Sequence, residues 1–130
     1  MRITGTVTTG RGAGGSYITR HGYRRQFQQH FDMQPYPGTL NLRLHGKNIR
    51  HFKTLREQPG VMLSGFYENG RHFGAVTCYP CTVENQVNGV VVIPEKSSYD
   101  DVMEIIARVC LRDTLGLQDG DRVAVTIPGR

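Results

Sequence analysis

Residues 35–44 read Pro35-Tyr36-Pro37-Gly38-Thr39-Leu40-Asn41-Leu42-Arg43-Leu44, a Pro/Gly turn that launches a strict alternation of polar and apolar side chains. Successive side chains on a strand point to opposite sides, so Leu40, Leu42 and Leu44 are assigned to a core and Thr39, Asn41 and Arg43 to the other face. Two neutral oxygen donors, the Thr39 hydroxyl and the Asn41 amide carbonyl, then stand about 7 Å apart at their backbones. Such a pair can converge on one hard cation. Mg²⁺ bound to a nucleotide takes few protein oxygens and fills its shell with phosphates and water. An ordinary edge strand with Thr and Asn turned to solvent has the same spacing, so the alternation alone leaves both readings open.

Outward from this stretch, turns punctuate the chain. Residues 2–8 are rich in β-branched side chains and predict a strand. Residues 21–31 predict a short helix in which Tyr23, Phe27 and Phe31 recur every fourth position, a spacing that serves packing better than stacking on a ligand. A second short helix is expected over 48–57, stopped by Gln58-Pro59-Gly60. Residues 61–67 and 72–83 read as a hairpin about Asn69-Gly70, and a second Asn-Gly turn is expected at Asn88-Gly89, leading into a strand over 90–93. Ser98 is expected to cap a helix starting near Tyr99, with Val102, Ile105, Ile106 and Val109 as its buried stripe and Cys110 in the core. Residues 122–127 alternate as a closing strand with Val123, Val125 and Ile127 inward. Many short strands and few helices predict a mostly β protein, a small closed barrel whose closure removes exposed edges.

At 130 residues the chain is read as one domain, residues 1–130. The sequence lacks an apolar run of the roughly 18 residues a membrane span needs and an apolar signal segment, so a cytoplasmic protein with no membrane partner is expected. Sixteen Lys and Arg against eleven Asp and Glu give a formal charge of +5, which favours an anionic partner. Arg20, His21, Arg24 and Arg25 cluster, a pattern that suits a solvated basic face better than nucleic-acid binding and is compatible with phosphate steering on either reading. Three cysteines are too few for a disulfide framework. Cys78-Tyr79-Pro80-Cys81 follows a strand-like segment, whereas a redox Cys-x-x-Cys opens a helix and a zinc site needs a second ligand pair; a structural role is expected.

Gly10-Arg11-Gly12-Ala13-Gly14-Gly15 matches Gly-x-Gly-x-x-Gly literally, but Ser16-Tyr17-Ile18-Thr19 reads as extended where a dinucleotide fingerprint would open a helix. The physical use of such a loop survives that exclusion. Backbone free of Cβ atoms can turn its amides toward phosphate, with Arg11 adding charge; a flexible connection between strands is the alternative.

The segment Pro-x-x-Gly-Thr-Leu-Asn, with the Gly-rich loop upstream, Ile93-Pro94-Glu95-Lys96-Ser97, Glu104-Ile105-Ile106-Ala107, Leu111-Arg112 and Leu117-Gln118-Asp119-Gly120-Asp121 downstream, resembles the archaeal-type CTP-dependent riboflavin kinases. These blocks recur in family order across nearly the whole chain. The resemblance implies a six-stranded cradle-loop β-barrel with a few short helices. It also implies transfer of the terminal phosphoryl group of CTP to riboflavin, giving FMN and CDP. It implies Mg²⁺ on Thr39 and Asn41, and nucleotide against Arg11, Gly12, Ala13, Gly14, Gly15 and Ser16 together with Cys110, Leu111, Arg112 and Asp113. The flavin falls to Ser97 and Glu104. Ala13 stands where relatives commonly carry an acidic residue, and Arg11 where an apolar one is usual, which bears on the choice of nucleotide. A monomer that binds no nucleic acid is expected. No general base is assigned; Glu104 and Asp113 are the nearest by motif, and a loose phosphoryl-transfer transition state makes little demand for one. The other function class is a non-catalytic small barrel that binds nucleic acid, flavin or nucleotide; steep salt dependence would mark the nucleic-acid case.

Overall fold

A computed structural model describes residues 1–10, 20–95 and 100–129. Nine strands and three helices alternate in these segments: β1 (Arg2–Thr8), α1 (His21–Phe31), β2 (Leu40–Arg43), α2 (Lys47–Arg56), β3 (Val61–Leu63), β4 (Phe66–Glu68), β5 (Arg71–Phe73), β6 (Val76–Val83), β7 (Val87–Pro94), β8 (Val102–Ile106), α3 (Leu111–Leu115) and β9 (Arg122–Thr126). Antiparallel pairing runs β6-β7-β8-β2-β1-β9, and β9 returns to β6, so six strands close a barrel. Closure leaves β6 with a long edge, which it divides: Thr82 and Val83 pair with β9, while Val76, Thr77 and Cys78 pair with β3.

The alternation in β2 does what its pattern predicts. Leu40, Leu42 and Leu44 are buried in the barrel interior with Ile3, Val7, Met103, Ile105, Val123, Val125 and Ile127. Helix α2 adds Phe52 and Leu55 to the same cluster, and Asn48 fixes its entry by accepting a hydrogen bond from the Thr4 amide at 2.9 Å. A second core lies outside the barrel wall, where Tyr23 and Phe27 of α1 cover Val90, Val92, Ile106 and Cys78. The every-fourth-residue aromatics are packing residues, with Phe31 at the margin of that cluster.

Three expectations are corrected. Residues 102–106 form strand β8, not a helix. Met103 and Ile105 face the barrel while Ile106 lies under α1, so the strand is apolar on both faces and its run imitates a helical stripe. The Ser98 cap and the helix start at Tyr99 fall outside the described residues. Cys110 is half-buried and sits one residue before α3 rather than inside a core helix.

The second Asn-Gly turn is not at Asn88-Gly89, which lie within β7 opposite Thr82 and Cys81. The chain turns at Glu84 and Asn85, both at positive φ (53° and 55°), where Glu84 donates to the Ala124 carbonyl at 2.9 Å and its carboxylate accepts the Ala124 amide at 2.7 Å. Gly89 is needed for space. A Cβ there would meet Ile105 Cγ2 and the Ile106 carbonyl at 3.0 Å.

The Asn69-Gly70 turn is borne out, with φ of 51° and 76°. Its strands break at residues 64–65 and 74–75, making β4 and β5 a separate two-stranded hairpin. Cys78 and Cys81, three apart on β6, face opposite sides of the wall, one in each cluster, and burial pushes both thiols up to about 12. Inert, separated thiols fit the structural reading.

Candidate active site

On the outer wall of the barrel, register aligns one row across four strands: Thr8 on β1 opposite Asn41 on β2, Asn41 opposite Glu104 on β8, and Glu104 opposite Val92 on β7. Thr39, two residues before Asn41, reaches the same place. Its hydroxyl donates to Glu104 Oε1 at 3.4 Å and accepts from Asn41 Nδ2 at 3.3 Å. Thr39, Asn41 and Glu104 therefore form one contiguous polar cluster, half-buried beside the apolar patch that α1 covers. Burial raises the Glu104 carboxyl above the ordinary carboxylate range, and the Thr39 hydrogen bond offsets part of that rise. Gly10, at the mouth of the Gly-rich stretch, packs against this cluster so closely that a Cβ would overlap the Asn41 amide.

Beside the cluster a small open cleft of about 60 Å³ is lined by Tyr36, Gly38, Thr39, Ala107, Cys110 and Arg112, among others. The structure thus brings the Pro-x-x-Gly-Thr segment and residues 110–112 to one concavity. Leu111 is buried, whereas Asp113 is exposed. Arg112 is held: it donates to Asp119 Oδ1 at 2.6 Å and to the Thr8 carbonyl at 3.3 Å. Tyr36 donates its amide to the Ala107 carbonyl at 2.8 Å and lines the cleft with Cys110. Arg11, Gly12, Ala13, Gly14, Gly15, Ser16 and Ser97 lie outside the described residues.

Tyr36, Thr9 and Asp119 are parts of this region that the sequence reading passed over as site residues. Asp119 has a visible signal in the Leu117-Gln118-Asp119-Gly120-Asp121 block, which the sequence ties to the family without assigning it a site residue. Of the basic cluster, Arg20 is drawn to Glu68 at 3.6 Å and lies over the Phe73 ring, and Arg24 bonds Gln34 at 3.1 Å.

The CTP-dep_RFKase family model, described as "Domain of unknown function DUF120", matches residues 7–127. The chain belongs to this family. The chain is similar to proteins named riboflavin kinase from Archaeoglobus fulgidus, 40% identical over 128 residues, and from Methanosarcina mazei, 42% identical over 128 residues. A third, from Pyrobaculum calidifontis, is 40% identical over 128 residues. These alignments cover 98% of this chain but 54%, 56% and 60% of the respective relatives, so the chain spans little more than half their length. The closed six-stranded antiparallel barrel agrees with the fold that the family resemblance implied. Among the described residues no helix is long and apolar enough to cross a membrane.

Proposed function

We propose that this domain transfers the terminal phosphoryl group of CTP to the 5′-hydroxyl of riboflavin, giving FMN and CDP. Family membership and the riboflavin kinase relatives support the reaction class. The observation that carries the reading is the Thr39–Asn41–Glu104 cluster, set by register beside the cleft that reaches Arg112.

The donors suit a hard cation. Among the described residues no group of three His, Cys, Asp or Glu could hold a metal ion, so an all-protein cage of such ligands is not on offer there. Mg²⁺ does not need one, because it keeps waters and substrate phosphates in its shell. Thr39 and Asn41 would hold it, and it would neutralise charge on the phosphate chain. The Gly-rich residues Arg11 to Ser16 and residues Cys110 to Asp113 bind the nucleotide, with Arg112 facing its phosphates. Ser97 and Glu104 bind riboflavin. Glu104, its pKa raised by burial, accepts the hydrogen bond of the 5′-hydroxyl and takes that proton as the oxygen bonds to phosphorus and the bridging P–O bond to CDP breaks. The barrel thereby supplies mainly position and electrostatics, which is what phosphoryl transfer requires.

Incubation with riboflavin, Mg²⁺ and either CTP or ATP, followed by chromatographic separation of flavins, tests the proposal. FMN from CTP alone supports reaction and donor together. FMN from both nucleotides keeps the kinase and assigns the relaxed choice to Arg11 and Ala13. Folded protein that makes no FMN from either overturns the activity and leaves a binding protein.

A further inference from the structure

Asp119 ties Thr9, near the start of the chain, to Arg112, seven residues before it. Its Oδ1 accepts from Arg112 at 2.6 Å, and its Oδ2 accepts from the Thr9 hydroxyl at 2.8 Å across 110 positions. Thr9 precedes Gly10, whose lack of a Cβ lets the chain pass over the Asn41 amide. Around this carboxylate the backbone is also stitched: Val7 donates to the Asp121 carbonyl and Gly120 donates to the Val7 carbonyl, both at 2.8 Å. Arg112 adds its bond to the Thr8 carbonyl. One carboxylate therefore holds the guanidinium of Arg112, a residue of the cleft wall, and pins the residue from which the Gly-rich stretch departs.

The chemistry makes this placement informative. A carboxylate next to a site for a polyanion is unfavourable by repulsion unless it orders something the polyanion needs. Here both of its oxygens are engaged by donors, and the Arg112 and Thr9 hydrogen bonds hold its pKa below the usual carboxylate range, so it carries its charge throughout the neutral range.

On the kinase reading above, we infer that Asp119 is a positioning residue for the nucleoside triphosphate, acting through Arg112 and Thr9. It aims the guanidinium at the phosphates and fixes the stem of the Gly-rich loop against Asn41. It does not touch substrate itself.

The test compares Asp119→Ala, Asp119→Asn and Thr9→Val with the native protein. It uses initial rates of FMN formation, calorimetric titration with Mg²⁺ and CTP, and thermal unfolding. Asp119→Ala is expected to raise the nucleotide KM and Kd about tenfold, with the riboflavin KM and the midpoint of unfolding nearly unchanged. Asparagine can accept from Arg112 and donate to Thr9, so Asp119→Asn should recover most of that loss. Thr9→Val should weaken nucleotide binding in the same direction, and Thr9→Val combined with Asp119→Ala should be no worse than Asp119→Ala alone.

Tighter nucleotide binding in both Asp119 variants would mean that the carboxylate is merely a repulsive charge. A parallel rise in both KM values with a lowered midpoint would mean that it is merely structural. Either outcome overturns the inference, as does an unchanged nucleotide Kd. If the native protein binds CTP but makes no FMN, the kinase reading fails while the Kd comparison still decides the role of Asp119. Native protein that binds no CTP overturns both.

Discussion

Asn41 and Glu104 are register partners across β2 and β8, and the Thr39 hydroxyl bridges them, donating to Glu104 while accepting from Asn41. All three side chains leave the outer face of the wall, so they can be altered without opening the core that Leu40, Leu42, Met103 and Ile105 fill on the other side. That separation lets function and stability be tested independently.

On the proposed reading, Thr39→Val and Asn41→Leu should each lower Mg²⁺-dependent FMN formation by about 10²-fold or more, since each removes an oxygen donor assigned to the metal. Their unfolding midpoints should stay within a few degrees of the native value. Steady-state rates over a Mg²⁺ series, alongside thermal melts, check both halves; a large drop in midpoint for either variant would reassign that side chain to the fold.

Glu104 gives a pH signature. Its pKa is raised in the fold, so the native state holds this proton more tightly than the unfolded chain does. Its contribution favours folding below the ordinary carboxylate range and is lost as pH rises through the raised value. Glu104→Gln should flatten that part of the stability profile and raise the midpoint at neutral pH by about 3 °C, while turnover falls about 10²-fold. Thermal melts from pH 4 to pH 8 and the pH–rate profile of kcat are the measurements.

The thiols should differ in reactivity. Cys78 and Cys81 are buried, with pKa values pushed up to about 12, whereas Cys110 is half-buried beside the cleft. Iodoacetamide at pH 8 should modify Cys110 in the native protein and reach the other two only on unfolding. Mass mapping of the alkylated peptides reads this directly, and bound CTP should slow the Cys110 reaction.

Gly89→Ala should destabilise the fold by about 1–3 kcal/mol, because the added methyl would press at 3.0 Å on Ile105 Cγ2 and the Ile106 carbonyl of the neighbouring strand. Phe27→Ala, which empties the seam between α1 and the wall, should cost about 3–5 kcal/mol. Chemical denaturation gives both values.

What the sequence determined by itself is local. The period-two run 39–44, the closing strand with Val123, Val125 and Ile127, and the fourfold spacing of Tyr23, Phe27 and Phe31 each declare their element and buried face, because side-chain periodicity is a property of neighbours along the chain. The ordered motifs named the family. Only the tertiary structure decided the rest. Residues 102–106 are a strand because β2 and β7 flank them and α1 covers their outer face. The hairpin turns at Glu84 and Asn85, where β9 supplies the hydrogen bonds, and Gly89 pairs within β7. Glu104 meets Thr39 across 65 positions, and Asp119 meets Thr9 across 110. Contacts of that separation are set by strand register and by barrel closure, which depend on all six strands together and leave no spacing for a linear reading to find.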